Sequence, residues 1–155
     1  MNLEAELNVR NVMALYGLAA DCGDIETALS CHTPDAVYIV SNPNAGRGGE
    51  SPDLELKGHQ AIADMLGSEM HQSLLPNCAH TVGPFVVKIN EDKAHVTGYS
   101  RVYHQKDGVP VLMRLAFNVW ELQDTDDGWK IAYRESRVMG ETAAQTLLQK
   151  ALNAL

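Results

Sequence analysis

Between His80 and Met139 the chain is a succession of four β-type segments whose connections are too short for a crossover, and this constrains the topology more than any other feature. The segments His80–Ile89, Ala94–Gln105, Val111–Leu122 and Trp129–Met139 are joined by Asn90-Glu91-Asp92, Lys106-Asp107-Gly108 and Asp124-Thr125-Asp126-Asp127-Gly128. Short polar turns of this kind make consecutive hairpins, so the sheet is largely antiparallel. Its side chains then alternate between two faces. From Ala94 to His104 one face holds Ala94, Val96, Gly98, Ser100, Val102 and His104, the other His95, Thr97, Tyr99, Arg101 and Tyr103. The first set is the apolar one, which places His104 toward the interior and His95 outside. Gly83-Pro84 predicts a bulge that reverses the phase of the first segment beyond His80.

The half of the chain ahead of this sheet is helical. Leu3, Leu7, Val12, Leu15, Tyr16 and Ala19 recur near helical period and predict an amphipathic helix over Leu3–Ala20 with those residues on its buried stripe. Cys22-Gly23 ends it, and Asp24 is placed to cap a second helix, Ile25–Ser30, closed by a Pro34-Asp35 turn. Ala36–Val40 is a short β-type run. Gly58–Leu66 begins a third helix, and Glu141–Leu155 a C-terminal one with Leu147, Leu148, Ala151 and Leu155 in line. Helices first and a long twisted antiparallel sheet afterwards predict one α+β domain over residues 1–155, its sheet curled as a cone-shaped barrel around the N-terminal helix. A curled sheet crossed by a helix encloses a pocket. The Gly-, Pro- and Asn-rich loop Ser41–Pro52 is long for a connector and reads equally as a lid over that pocket or as a plain insertion.

Composition narrows the partners. A net charge of −8 from scattered Asp and Glu, with no Lys or Arg cluster, disfavours nucleic acid and anionic membranes. The N-terminus lacks a leader pattern and no apolar run is long enough to span a bilayer, so a cytoplasmic location is expected. Cys22, Cys31 and Cys78 have no close pairing and read as reduced thiols.

Chemistry concentrates at one place. Asp21 stands where the apolar N-terminal helix runs out, without a neighbouring Lys or Arg, and a carboxylate there needs a partner. The candidate is His80, at the mouth of the first long strand. The six histidines include no pair spaced to give two metal ligands from one element, so no metal is expected. No Gly-x-Ser-x-Gly elbow and no phosphate-binding glycine loop is present. His32, His59 and His71 fall in turn or helical contexts and are expected at the surface. Acid–base chemistry without a cofactor remains, carried by a carboxylate, histidines and phenols in an apolar cup.

The order of these residues resembles a known family. Tyr16-Gly17-Leu18-Ala19-Ala20-Asp21-Cys22-Gly23-Asp24, Pro34-Asp35-Ala36-Val37, Gly58-His59-Gln60-Ala61-Ile62, His80-Thr81 and Asp127-Gly128-Trp129-Lys130-Ile131 resemble, in order and over nearly the whole chain, the SnoaL-like branch of the nuclear-transport-factor-2-like (NTF2-like) superfamily. The resemblance implies a cone-shaped α+β barrel. It also implies a cofactor-independent lyase, a dehydratase or dehydrohalogenase, or an isomerase, acting on a small hydrophobic molecule. Asp21 then matches the aspartate that orients the base, His80 the base, Tyr16 a pocket tyrosine and His104 a second acid or base. Arg114, Asn118, Ser136 and Arg137 are further lining candidates that the resemblance leaves unmatched. Epoxide hydrolysis, polyketide cyclisation, and non-catalytic binding or structural roles occur on the same fold. Leu112, Trp120 and Leu122, read as sharing one side of their strand, and Tyr99, Arg101 and Tyr103 beside them leave sheet surface for a homo-oligomer. By the resemblance a trimer is expected ahead of a dimer.

Overall fold

The computed structural model describes residues 2–41 and 53–154. The helices are α1 (Leu3–Cys22), α2 (Ile25–Ser30), α3 (Gly58–Leu66), α4 (Glu69–Gln72) and α5 (Thr142–Asn153). The strands are β1 (His32–Val40), β2 (Leu54–Lys57), β3 (Cys78–Asn90), β4 (Lys93–Lys106), β5 (Val109–Thr125) and β6 (Gly128–Val138). They form one six-stranded sheet in the order β2-β1-β6-β5-β4-β3. Every pair is antiparallel except β1 with β6. The sheet curls around α1 without closing, and β2 and β3 are its edges. The Ser41–Pro52 loop, read as either a lid or a plain insertion, lies outside the described residues, apart from Ser41 itself.

Helix α1 is framed by two local devices. The Asn2 side chain accepts from the Ala5 amide at 3.1 Å, and Gly23 closes the other end in the left-handed region at φ 76°. Asp24 then caps α2, accepting from the Thr27 amide and hydroxyl, which holds its carboxyl below the usual range. Loss of such a cap would leave the first amides of a six-residue helix without a partner.

The stripe expected on α1 is corrected. Leu3, Leu7, Leu15 and Leu18 are exposed, and the buried face is Ala5, Val9, Met13, Tyr16, Gly17, Ala19 and Ala20. At Gly17 the helix lies hard against the sheet: a Cβ there would sit 2.8 Å from the carbonyl oxygen of His80. No side chain larger than hydrogen fits at that one position, while Met13 and Tyr16 on the same face reach the core.

Strand parity organises the rest. Ala94, Val96, Gly98 and Ser100 of β4 are buried while His95 is exposed. The bulge at Gly83-Pro84 is present: Val82 pairs with Ser100 and Phe85 with Gly98, so the inward phase passes from His80 and Val82 to Phe85, Val87 and Ile89. A second irregularity on β5, around Met113, corrects one grouping. Trp120 and Leu122 are buried in the concave core, but Leu112 is turned out and exposed. Trp120 anchors that core, edge-on to Phe85 at 5.6 Å between ring centroids. Its full burial is worth about 3 kcal/mol.

The N-terminal strands also differ from expectation. The predicted Pro34-Asp35 turn is part of β1, which starts at His32 and carries a register shift between His32 and Val37. Proline is tolerated there because the ladder is already interrupted. The short strand β2 and helix α4 have no separate sequence signal. Helix α5 shares a cleft with outward-facing Thr97, Val119 and Tyr133 through Leu147 and Ala151, so it sits on the convex face. No described helix is long and apolar enough to cross a membrane.

Candidate active site

The structure brings Asp21 and His80 together. Asp21 is the next-to-last residue of α1, and β3 passes beneath it because Gly17 allows close approach. Its Oδ1 accepts from His80 Nδ1 at 2.5 Å, and its two oxygens accept from the His80 amide at 3.1 and 2.8 Å. The Cys78 thiol adds a weaker contact at 3.6 Å. One carboxylate thus holds both the ring and the backbone of the histidine. Donation by Nδ1 leaves Nε2 with the lone pair. The two side chains keep 29% and 19% exposure, so the ring edge meets solvent or a ligand.

Asp21, Cys78 and His80 also offer three metal-binding atoms within 4.8 Å of one another. Their protonation favours the hydrogen-bonded reading. Burial, followed by the Asp21 charge, pushes the Cys78 thiol up to about 11, so the thiol serves as a hydrogen-bond donor to Asp21.

The other predicted residues are distributed around this pair. His104 pairs with Cys78, two residues along β4 from the pair His80–Val102, and so falls on the same face of the sheet as His80. Its side chain has no hydrogen bond or ion pair among the described residues. Tyr16 is buried and meets the His32 ring edge-on at 4.7 Å. Burial raises its phenol well above the usual value, so it is a neutral hydrogen-bonding group.

Three histidines expected at the surface are not free. His71 is buried, donates from Nε2 to the Ala20 carbonyl at 3.1 Å, and lies 5.6 Å from the His80 ring. His32 is buried and donates from Nδ1 to Ala28, with burial pushing its pKa down to about 4. His59 is partly buried and donates to the His32 carbonyl at 3.1 Å. Local sequence marks these as polar, but the tertiary fold covers them.

A polar network not legible as a motif lines the concave face. Arg134 donates from Nε to Asn118 Oδ1 at 3.1 Å, and Asn118 Nδ2 donates to Ser100 Oγ at 2.8 Å. The Arg134 guanidinium stacks over Tyr38 at 4.6 Å and Trp120 at 5.4 Å. Asn118 and Ser136 are opposite one another on β5 and β6, and both are completely buried. The signal that finds them is parity: Asn118 interrupts the inward series Ala116, Trp120 and Leu122 with a polar group. Arg137 takes the opposite parity and is held by Asp53 at 2.6 Å and Glu135 at 2.8 Å, outside this network. Two surface clefts, of about 860 and 450 Å³, are lined by neither Asp21 nor His80.

Comparison with known proteins agrees with this architecture. No curated protein matches the sequence. An NTF2-like protein of cystatin-like fold from Novosphingobium aromaticivorans is 32% identical, with 95% of this chain and 90% of that one covered and a TM-score of 0.82. A Catenulispora acidiphila protein in complex with S-DNPA shares the fold at 19% identity, covering 92% and 99% of the two chains with a TM-score of 0.72. A Streptomyces avermitilis protein named as a candidate dehydratase of the NTF2-like family shares it at 18% identity, covering 91% and 100%, with a TM-score of 0.70. The SnoaL-like domain profile matches residues 1–135, and the chain belongs to that family.

Proposed function

We propose that the protein is a cofactor-independent lyase or isomerase in which His80 removes a proton from a small hydrophobic substrate. The observation that carries this reading is the three-point grip of Asp21 on His80, through the ring and the backbone amide. A carboxylate on Nδ1 fixes the ring, keeps Nε2 as the basic atom and stabilises the imidazolium formed when it accepts the proton. His104, on the same face, is proposed to protonate the leaving group or to position it. Tyr16, kept neutral by burial, is proposed as a pocket hydrogen-bonding residue. The naming of a structural neighbour as a candidate dehydratase is consistent with an elimination.

Screening aromatic, terpenoid, steroid and halogenated compounds for thermal stabilisation identifies ligands, since binding to the native state raises the melting point. Ligands with a proton beside a leaving group are then tested for turnover. His80→Ala is expected to lower turnover by about a hundredfold or more while keeping the fold. Turnover unchanged in that variant would refute the role. His104→Gln is expected to slow loss of hydroxide more than loss of halide, because halide departs without a proton; equal losses assign it to positioning.

Self-association belongs to the same proposal. Leu112, Met113 and Leu115 are exposed together on β5, and a homo-oligomer would bury them.

A further inference from the structure

The concave face holds more hydrogen-bonding capacity than the protein itself uses. Ser136 Oγ is fully buried and has no partner. Arg114 Nη2 is likewise buried and unpartnered, and Nη1 makes only a long contact of 3.5 Å to the Ser41 carbonyl. Both residues flank Ser41, whose carbonyl faces Arg114 Nη1 and whose amide donates to the Ser136 carbonyl at 3.0 Å. Asn118, opposite Ser136, does not serve it: its amide nitrogen is donated to Ser100 and Ala116, and its oxygen already accepts from Arg134.

Charge points the same way. Arg114 and Arg134 each feel the other's charge, and burial lowers the Arg114 pKa most of all. Among the described residues no carboxylate forms an ion pair with either guanidinium. Glu141 and the Tyr38 phenol are the remaining ionisable groups that act on Arg114. The Glu141 carboxylate is committed to Ser41 Oγ at 2.7 Å. Two guanidiniums and an idle hydroxyl thus border one interior with no carboxylate hydrogen-bonded to them among the described residues. A carboxylate supplies what is missing, since its two oxygens accept from a guanidinium fork and a hydroxyl together.

We infer that the interior binds a small organic acid, with its carboxylate on Arg114 and Ser136 and its apolar body lying toward Trp120 and His80. This rests on the reading of the concave face as the substrate site and adds the substrate class. Arg114 lies in the same cross-strand row as His80, through Val102, so the backbones are two strand spacings, roughly 10 Å, apart. The acid therefore carries its reacting carbon on a ring or chain away from the carboxylate, within reach of Nε2.

The test is binding, read by titration calorimetry with benzoate, trans-cinnamate and 2-naphthoate, each against its primary amide. The wild-type protein is expected to bind at least one of these acids about tenfold or more tightly than its amide, as a charge-assisted pair requires. Arg114→Met is expected to bring acid and amide to about the same affinity, and Ser136→Ala to weaken the acid several-fold. Should Arg114→Met fail to melt as a folded protein, Arg114→Gln and Ser136→Ala decide the matter. Equal affinity for acid and amide in the wild type, an undiminished preference in the folded variants, or no acid bound at about 10 mM overturns the inference. Turnover by His80 confined to neutral compounds would overturn the carboxylate subsite and leave the base standing. Arg114-dependent acid binding without His80-dependent turnover would do the reverse.

Discussion

Gly17 lies so close to His80 that a methyl group at position 17 would stand 2.8 Å from the His80 carbonyl oxygen. The obstructing atom is backbone, and no rotamer change can remove it. Helix α1 and strand β3 therefore meet at a separation that only glycine permits, and this separation lets Asp21 reach the His80 ring. Replacing glycine by alanine inside a helix ordinarily gains up to about 1 kcal/mol of propensity. Overpacking here is expected to cost about 1–3 kcal/mol, so the clash decides the sign.

Gly17→Ala should accordingly lower stability in urea denaturation and lower turnover further than its fold loss explains, because the helix shift separates Asp21 from His80. A variant more stable than the wild type would show that helix and strand separate without strain.

Asp21→Asn keeps the shape of the carboxyl group and removes its charge. The amide oxygen can accept from only part of the set formed by the His80 amide, His80 Nδ1 and Cys78 thiol, and its NH2 faces donors. A loss of about 1–3 kcal/mol in denaturant unfolding is expected, together with a large fall in turnover. Retention of both would remove Asp21 from the site.

His32 makes stability depend on acid. Its folded pKa of about 4 lies below the unfolded value of 6.5, so the unfolded state binds more protons between them. Stability from this group is full above the unfolded value, falls as pH drops through the interval, and is lost below the folded value; at about 1.4 kcal/mol per unit the total is about 3 kcal/mol. Unfolding free energies across this range should show that slope, and His32→Gln should flatten it. An unchanged slope in the variant would assign the acid sensitivity elsewhere.

Thiol chemistry separates the cysteines. Cys22 is exposed, whereas Cys31 and Cys78 are buried and both have raised pKa values. Native protein treated with iodoacetamide near neutral pH should be alkylated at Cys22 alone, and the urea-unfolded chain at all three, as peptide mass mapping would read. Rapid native labelling of Cys78 would contradict the closed packing around Asp21.

Assembly is checked by light scattering at micromolar concentration. The exposed apolar residues of β5 predict an oligomer, with a trimer expected ahead of a dimer. Replacing Met113 and Leu115 by Lys should shift the mass toward monomer without changing the circular dichroism. A monomeric wild type would end that expectation.

What the sequence alone determined follows from local rules. Short polar turns dictate hairpins, alternation dictates faces, and Gly23 with Asp24 dictates where one helix stops and the next begins. Asp21 and His80 were legible as a pair because an unpaired carboxylate at an apolar helix end demands a partner. Tertiary packing decided what depends on distance between segments remote in the chain. It turned the leucines of α1 outward and set the face bearing Val9, Met13, Tyr16 and Gly17 against the sheet. It buried His32 and His71, whose local contexts look solvent-facing. Likewise, it drew Arg114, Asn118, Arg134 and Ser136 from separate positions on two strands onto one concave face. Periodicity shows that a helix or strand has two faces. Which face is covered, and how closely, is set by the shape of what lies opposite.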